Sequence, residues 1–114
     1  MSVKWDVRFM RIAREVATWS KDPSTRVGAI MVRDRRVIAT GYNGFPQGIA
    51  DDGRLHNREE KYPLIIHGEE NALMNALRHG VSADGADLYV WPLPICNVCM
   101  RLVIQAGVKR VVIM

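Results

Sequence analysis

His67-Gly68-Glu69 and Cys96-Asn97-Val98-Cys99 carry the side chains of this chain best suited to chemistry. Imidazole and thiolate are soft-metal ligands, and His67, Cys96 and Cys99 form the sensible set, because His56 falls in a charged stretch and His79 in the last turn of a predicted helix. The count of three is informative. Structural zinc sites close with four protein ligands, whereas catalytic ones use three and leave the fourth position to water. Both ligand groups fall at predicted helix starts, where unpaired N–H groups and the positive dipole end favour the thiolate a metal needs. Glu69 follows His67 by two residues, about 200° of rotation on a regular helix, so both face one metal only if His67 occupies the irregular helix start. A carboxylate beside metal-bound water, and not itself a ligand, would take the water's proton and pass it to a substrate nitrogen. Each feature alone has a plainer reading: a redox dithiol or core cysteines, a partly buried histidine, a first-turn carboxylate on a helix dipole. The combination of His-x-Glu at one helix start and Cys-x-x-Cys at the next favours the metal.

The elements that must position these residues follow from periodicity. Trp5, Phe9, Ile12, Ala13, Val16 and Ala17 repeat at helical steps and predict a helix over about 4–19, ended by Lys21-Asp22-Pro23. Apolar runs at 27–32 and 37–42, separated by Arg33-Asp34-Arg35-Arg36, predict an antiparallel hairpin. Residues 43–63 are rich in Gly, Asp and charge with no sustained period, which predicts a long surface loop, lid or interface. A second helix is expected over about 67–78 with Gly80 as its stop, then a short strand over 87–91 and a break at Pro92-Leu93-Pro94. A third helix over 96–106, stopped by Gly107, and a last strand over 110–114 complete the order α-β-β-α-β-α-β. A hairpin followed by two β-α-β crossovers gives a mixed sheet with helices on its faces, an α/β fold.

Composition bounds the function. A chain of 114 residues, 48% hydrophobic and 25% charged, suits one globular domain over 1–114. Its apolar runs fall far short of the roughly 20 residues of a membrane helix, and Met1-Ser2-Val3-Lys4-Trp5-Asp6 does not read as a secretory signal, so the cytoplasm is expected. In that compartment two cysteines three apart speak against a structural disulfide. The net charge of +4 is scattered among acidic neighbours, which disfavours a nucleic-acid stripe and suits a small phosphorylated ligand.

With these residues in place, the chain resembles the cytidine and deoxycytidylate deaminase superfamily, and within it most closely the deoxycytidylate deaminases. H-x-E followed by P-C-x-x-C is the signature of the zinc nucleobase deaminases, although here Ile95 stands directly before the first cysteine and Pro94 one earlier. The likeness extends to Ser20–Ala29, Gly41–Pro46, Asp51-Asp52, Lys61-Tyr62-Pro63 and Ile104–Gly107, and covers about residues 19–114. It implies a three-layer α/β/α sandwich, a Zn2+ held by His67, Cys96 and Cys99, and Glu69 as proton shuttle. It further implies hydrolysis of dCMP to dUMP and ammonia, a supply step for thymidylate. A homo-oligomer, commonly hexameric, activated by dCTP and inhibited by dTTP, is implied as well, with the Gly41–Gly48 turn in the effector region. Asn43 matches an asparagine that contacts the substrate sugar, although Asn-Gly is also an ordinary turn pair. Arg26, beside the first strand, is the choice for the phosphate, since a guanidinium grips phosphate bidentately, and a solvated surface charge is its rival reading. Relatives continue beyond the position of Met114 with a further helix and strand. The alternatives are a zinc deaminase acting on cytidine, guanine or tRNA adenosine, and a non-catalytic nucleotide-binding relative.

Overall fold

The computed structural model describes residues 2–92 and 95–113. Helix α1 spans Val3–Ala17, and Ser2, in extended backbone, caps it by accepting from the Trp5 N–H. It stops two residues short of the expected end, where the Thr18 hydroxyl donates to the Glu15 carbonyl and turns the chain. Strands β1 (Gly28–Arg33) and β2 (Arg36–Tyr42) pair antiparallel through a two-residue turn with Asp34 and Arg35 both at positive φ, 54° and 60°.

The stretch expected as one long surface loop contains two short helical elements. A 3-10 turn at Gly53–His56 and a four-residue helix, α2 (Arg58–Lys61), each start on an Asx cap, Asp52 accepting from the Arg54 N–H and Asn57 from Glu59 and Glu60. Buried Phe45 and Leu55 pin it to the body. Four-residue helices leave no hydrophobic period in a sequence, so side-chain caps carry the only signal.

Helix α3 covers Gly68–Arg78 and ends with Gly80 at φ +70°; β3 covers Asp87–Trp91, α4 Asn97–Gln105 with Gly107 at φ +93° behind it, and β4 Arg110–Ile113. Strand β3 ends directly before Pro92, where the break at Pro92-Leu93-Pro94 is expected; Leu93, Pro94 and the last strand residue, Met114, lie outside the described residues. The sheet order is β2-β1-β3-β4, with β1–β3 antiparallel and β3–β4 parallel, the mixed sheet expected of a hairpin followed by two β-α-β units.

Alternation along the strands separates two cores. Ala29, Met31, Leu88 and Val90 face α3 and α4, packing on Ala72, Leu73, Ala76 and Val103. Ile30, Val32 and Tyr89 face α1, packing on Phe9, Met10, Ala13 and Val16. The result is the α/β/α layering. Two glycines allow close approach: a Cβ on Gly28 would lie 2.1 Å from the Ala13 carbonyl of α1, and one on Gly41 2.2 Å from the Ala72 nitrogen of α3.

Below the α1 core sits a polar cluster. The Tyr89 hydroxyl donates to Asp6 at 2.6 Å, and the Arg110 guanidinium donates to both Asp6 oxygens, at 3.0 and 2.6 Å, and to Asp87 at 3.2 Å. These bonds hold the Asp6 carboxyl below its ordinary range, the Arg110 contact being the largest cause.

Candidate metal centre

Helix α3 begins on His67, whose backbone is extended (φ −68°, ψ 154°), and the Glu70 carboxylate accepts from the His67 N–H at 3.3 Å. This non-helical start resolves the 200° problem, since the His67 side chain does not follow the helix twist. Helix α4 begins in the same way on Cys96, whose sulfur accepts from the Cys99 N–H at 3.4 Å. The two helices pack on one face of the sheet and bring their starts together.

There the His67 Nδ1 lies 3.2 Å from the Cys99 Sγ and 3.4 Å from the Cys96 Sγ, and the two sulfurs are 3.0 Å apart. Tetrahedral zinc bonds of about 2.0–2.3 Å require ligand–ligand edges of roughly 3.5–3.8 Å, so the triangle accepts the ion after a small opening, largest on the sulfur–sulfur edge. Glu69 Oε1 stands 3.9 Å from the His67 Nδ1, and one donor atom from each of the four residues lies within 4.8 Å of the others. The donor set of one imidazole and two sulfurs suits zinc.

Electrostatics support the same reading. Cys99 is buried, and burial pushes its thiol well above the usual range, aided by the Cys96 contact and the Glu69 charge. Desolvation by the surrounding core outweighs the helix N-terminus expected to favour the thiolate. Two sulfurs beside a carboxylate of 6% exposure are an arrangement that a divalent cation relieves.

The centre forms the floor of a cavity of about 200 Å³ lined by His67, Glu69 and Cys96 on one side and Asp22, Asn43 and Lys61 on the other. Asn43 sits where the sequence expects a site residue, but its side chain also clasps the chain before β1: it accepts from the Val27 N–H at 2.8 Å and donates to the Thr25 carbonyl at 2.8 Å. Arg26 is exposed and, among the described residues, is not in the cavity lining, although its neighbour Val27 is.

Sequence reasoning missed the opposite wall. Lys61 Nζ donates to Asp22 Oδ1 at 3.2 Å, the two side chains being only 8% and 5% exposed. Asp22 is further held by the Ser24 N–H at 2.8 Å. The pair is separated by 39 residues, so no spacing rule links it; only the position of Lys61 directly before Tyr62-Pro63 and the apolar run at 64–66 hints that it is buried.

A mixed sheet with helix starts converging on a His/Cys/Cys triangle and an adjacent carboxylate defines the zinc deaminase class of site. Residues 3–114 match the cytidine and deoxycytidylate deaminase zinc-binding region, and the chain belongs to that family. It is 40% identical over 119 residues to the deoxycytidylate deaminase of Mus musculus, a match covering 98% of this chain and 65% of the mouse protein. It is also 40% identical over 111 residues to the uncharacterized deaminase in the luxG 3′ region of Aliivibrio fischeri, covering 97% of this chain and 73% of that protein. Among solved structures it resembles the dCMP deaminase of cyanophage S-TIM5 in complex with dCMP and dUMP, with a TM-score of 0.84, 30% identity, and coverage of 99% of this chain and 82% of that one. Among the described residues, no helix is long and apolar enough to cross a membrane.

Proposed function

We propose that the chain is a zinc-dependent deaminase that hydrolyses dCMP to dUMP and ammonia, a step in the supply of the dTMP precursor. The observation that carries this reading is the buried Glu69 carboxylate, 3.9 Å from the His67 nitrogen and exposed to the same cavity as Cys96. Similarity to the mouse deoxycytidylate deaminase and to the cyanophage dCMP deaminase supports the choice of base and nucleotide.

His67, Cys96 and Cys99 would hold the zinc. Bound there, it supplies a Lewis acid that lowers the pKa of a coordinated water to roughly 7. Glu69 takes the proton released and delivers it to N3 of cytosine, which makes C4 electrophilic toward the water oxygen. The water oxygen bonds to C4; Glu69 takes the remaining proton from the new C4 hydroxyl and delivers it to the amine, the C–N bond breaks with its electron pair leaving on ammonia, and the C4 carbonyl of uracil forms. Its burial keeps this carboxylate away from bulk water, so the proton passes within the site.

Asn43 lines the cavity and is the sugar-side candidate, while Arg26, exposed one residue before Val27, is a candidate for the phosphate only from outside the cavity. Association into a homo-oligomer, hexameric for preference, with dCTP and dTTP as effectors, rests on the family likeness of the chain, the Gly41–Gly48 turn resembling the effector region. A cleft of about 640 Å³ along β2, lined by Trp19, Tyr42, Asn43 and Asp51, borders that turn and has room for an effector nucleotide. A cytoplasmic location belongs to the same proposal.

The test is a screen of the zinc-loaded chain for ammonia release from dCMP, deoxycytidine, cytidine and guanine. Highest kcat/KM for dCMP is expected; preference for a free nucleoside or base would replace the assignment.

A further inference from the structure

Resting on the dCMP reading, we infer that the nucleotide's phosphate lies in a second cleft adjoining the metal cavity, held by Lys61 and Arg58 with the Ser24 hydroxyl. Lys61 and Tyr62 line both spaces, so the two clefts share a wall. The second measures about 470 Å³ and adds Ser24, His56 and Arg58 to that wall. Among the described residues that line it there is no carboxylate. An anion placed there meets Arg58 and Lys61 and no carboxylate of the lining, whereas one in the metal cavity faces Glu69 and Asp22.

Lys61 is suited to the contact. An ammonium has three donors. Those of Lys61 reach Asp22 at 3.2 Å and the Ser24 hydroxyl at 3.5 Å, and the ammonium lies 5.4 Å from the centre of the Tyr62 ring, so among the described residues its third N–H has only that ring face, with no oxygen acceptor. Its side chain is only 8% exposed, so the donor is fixed in direction and poorly hydrated, and a phosphate oxygen is the partner that such a group lacks. Arg58 is held as well: its guanidinium lies 5.2 Å from the centre of the Tyr62 ring, which orders the planar fork before a ligand arrives. A base over Glu69 with its phosphate across the Lys61 wall describes a nucleoside monophosphate, and a free nucleoside would leave the second cleft and the buried donor unused.

The experiment uses the full zinc-loaded chain and measures kcat/KM for dCMP and deoxycytidine, together with calorimetric binding of dUMP and deoxyuridine, in wild type, Arg58→Ala, Lys61→Met, Lys61→Arg and Arg26→Ala. The expected result is a fall of about ten- to a hundredfold in the dCMP-to-deoxycytidine ratio and in dUMP affinity for Arg58→Ala and Lys61→Met, with partial recovery in Lys61→Arg. Lys61→Met also strips Asp22 of its partner, so if that variant does not fold, the exposed Arg58→Ala decides. The inference is overturned if Arg58→Ala leaves the ratio and the dUMP affinity within threefold of wild type, if Arg26→Ala alone moves them, or if wild type binds dUMP no more tightly than deoxyuridine. Failure of the parent reading looks different: no ammonia from dCMP in the wild type, whatever dUMP binding shows.

Discussion

The carboxylate of Glu69 stands 3.9 Å from the imidazole Nδ1 of His67, although the two residues are separated by only Gly68 at the start of a helix. The contact exists because His67 is a helix cap and Glu69 a helical residue. The backbone break between them turns an unfavourable angular offset into a convergent pair.

Glu69→Gln should therefore retain fold and zinc and lose nearly all turnover, because the amide fills the same volume without cycling a proton. General acid–base groups contribute about 10²–10⁴-fold, and one that serves several transfers belongs at or above the upper end. Single-turnover rates on zinc-loaded protein check this, and a loss of less than tenfold would remove Glu69 from the proton path.

Cys99→Ala should purify without zinc, and the wild type should carry one zinc per chain. The buried sulfur is one corner of a three-atom triangle, and two remaining ligands hold zinc weakly. Elemental analysis of both proteins is the measurement; full occupancy in the variant would mean that the ion sits elsewhere.

Gly41→Ala should destabilise the fold by about 3 kcal/mol or more, at or beyond the upper end of overpacking costs, because the new Cβ would meet the Ala72 nitrogen at 2.2 Å, with the Gly68 carbonyl at 2.6 Å. Both are backbone atoms of the helix that carries Glu69, so activity should fall together with thermal stability. A variant with a wild-type melting temperature would show that α3 does not seat on β2 in this way.

Asp6→Asn should cost stability at neutral pH and cost little in acid. The Arg110 guanidinium and the Tyr89 hydroxyl hold the Asp6 carboxyl below its ordinary range. A carboxyl lowered on folding stabilises above its unfolded pKa of about 3.9, and that contribution disappears as pH falls through the folded value. Urea unfolding of wild type and variant from pH 7 to below 3 should show the gap narrowing from about pH 4 downward; a gap that widens toward acid contradicts the assignment.

The legible parts were those written in local spacing. His67, Glu69, Cys96 and Cys99 sit at helix starts, and both helix stops are glycines at positive φ, Gly80 and Gly107, so three- and four-residue offsets locate them. The strands show in their apolar runs, and burial of the two central ones, β1 and β3, on both faces follows from the β-α-β order. What stayed hidden was long-range and polar. Lys61 with Asp22, and Arg110 with Asp6, join residues far apart along the chain, and a single charged residue looks the same in sequence whether it is solvated or buried in a pair. Arg26 stands out in sequence by its proximity to a strand, whereas Arg58 and Lys61, the Lys and Arg side chains that line the two clefts, come from a short helix that starts on the Asn57 cap.

Hydrolysis of dCMP in ¹⁸O-labelled water by the zinc-loaded protein tests the central claim most directly. The account predicts one ammonia per dUMP formed, with the label at the C4 oxygen of uracil, and loss of both in Glu69→Gln. Uracil without label at C4, or label incorporation undiminished in Glu69→Gln, would contradict it.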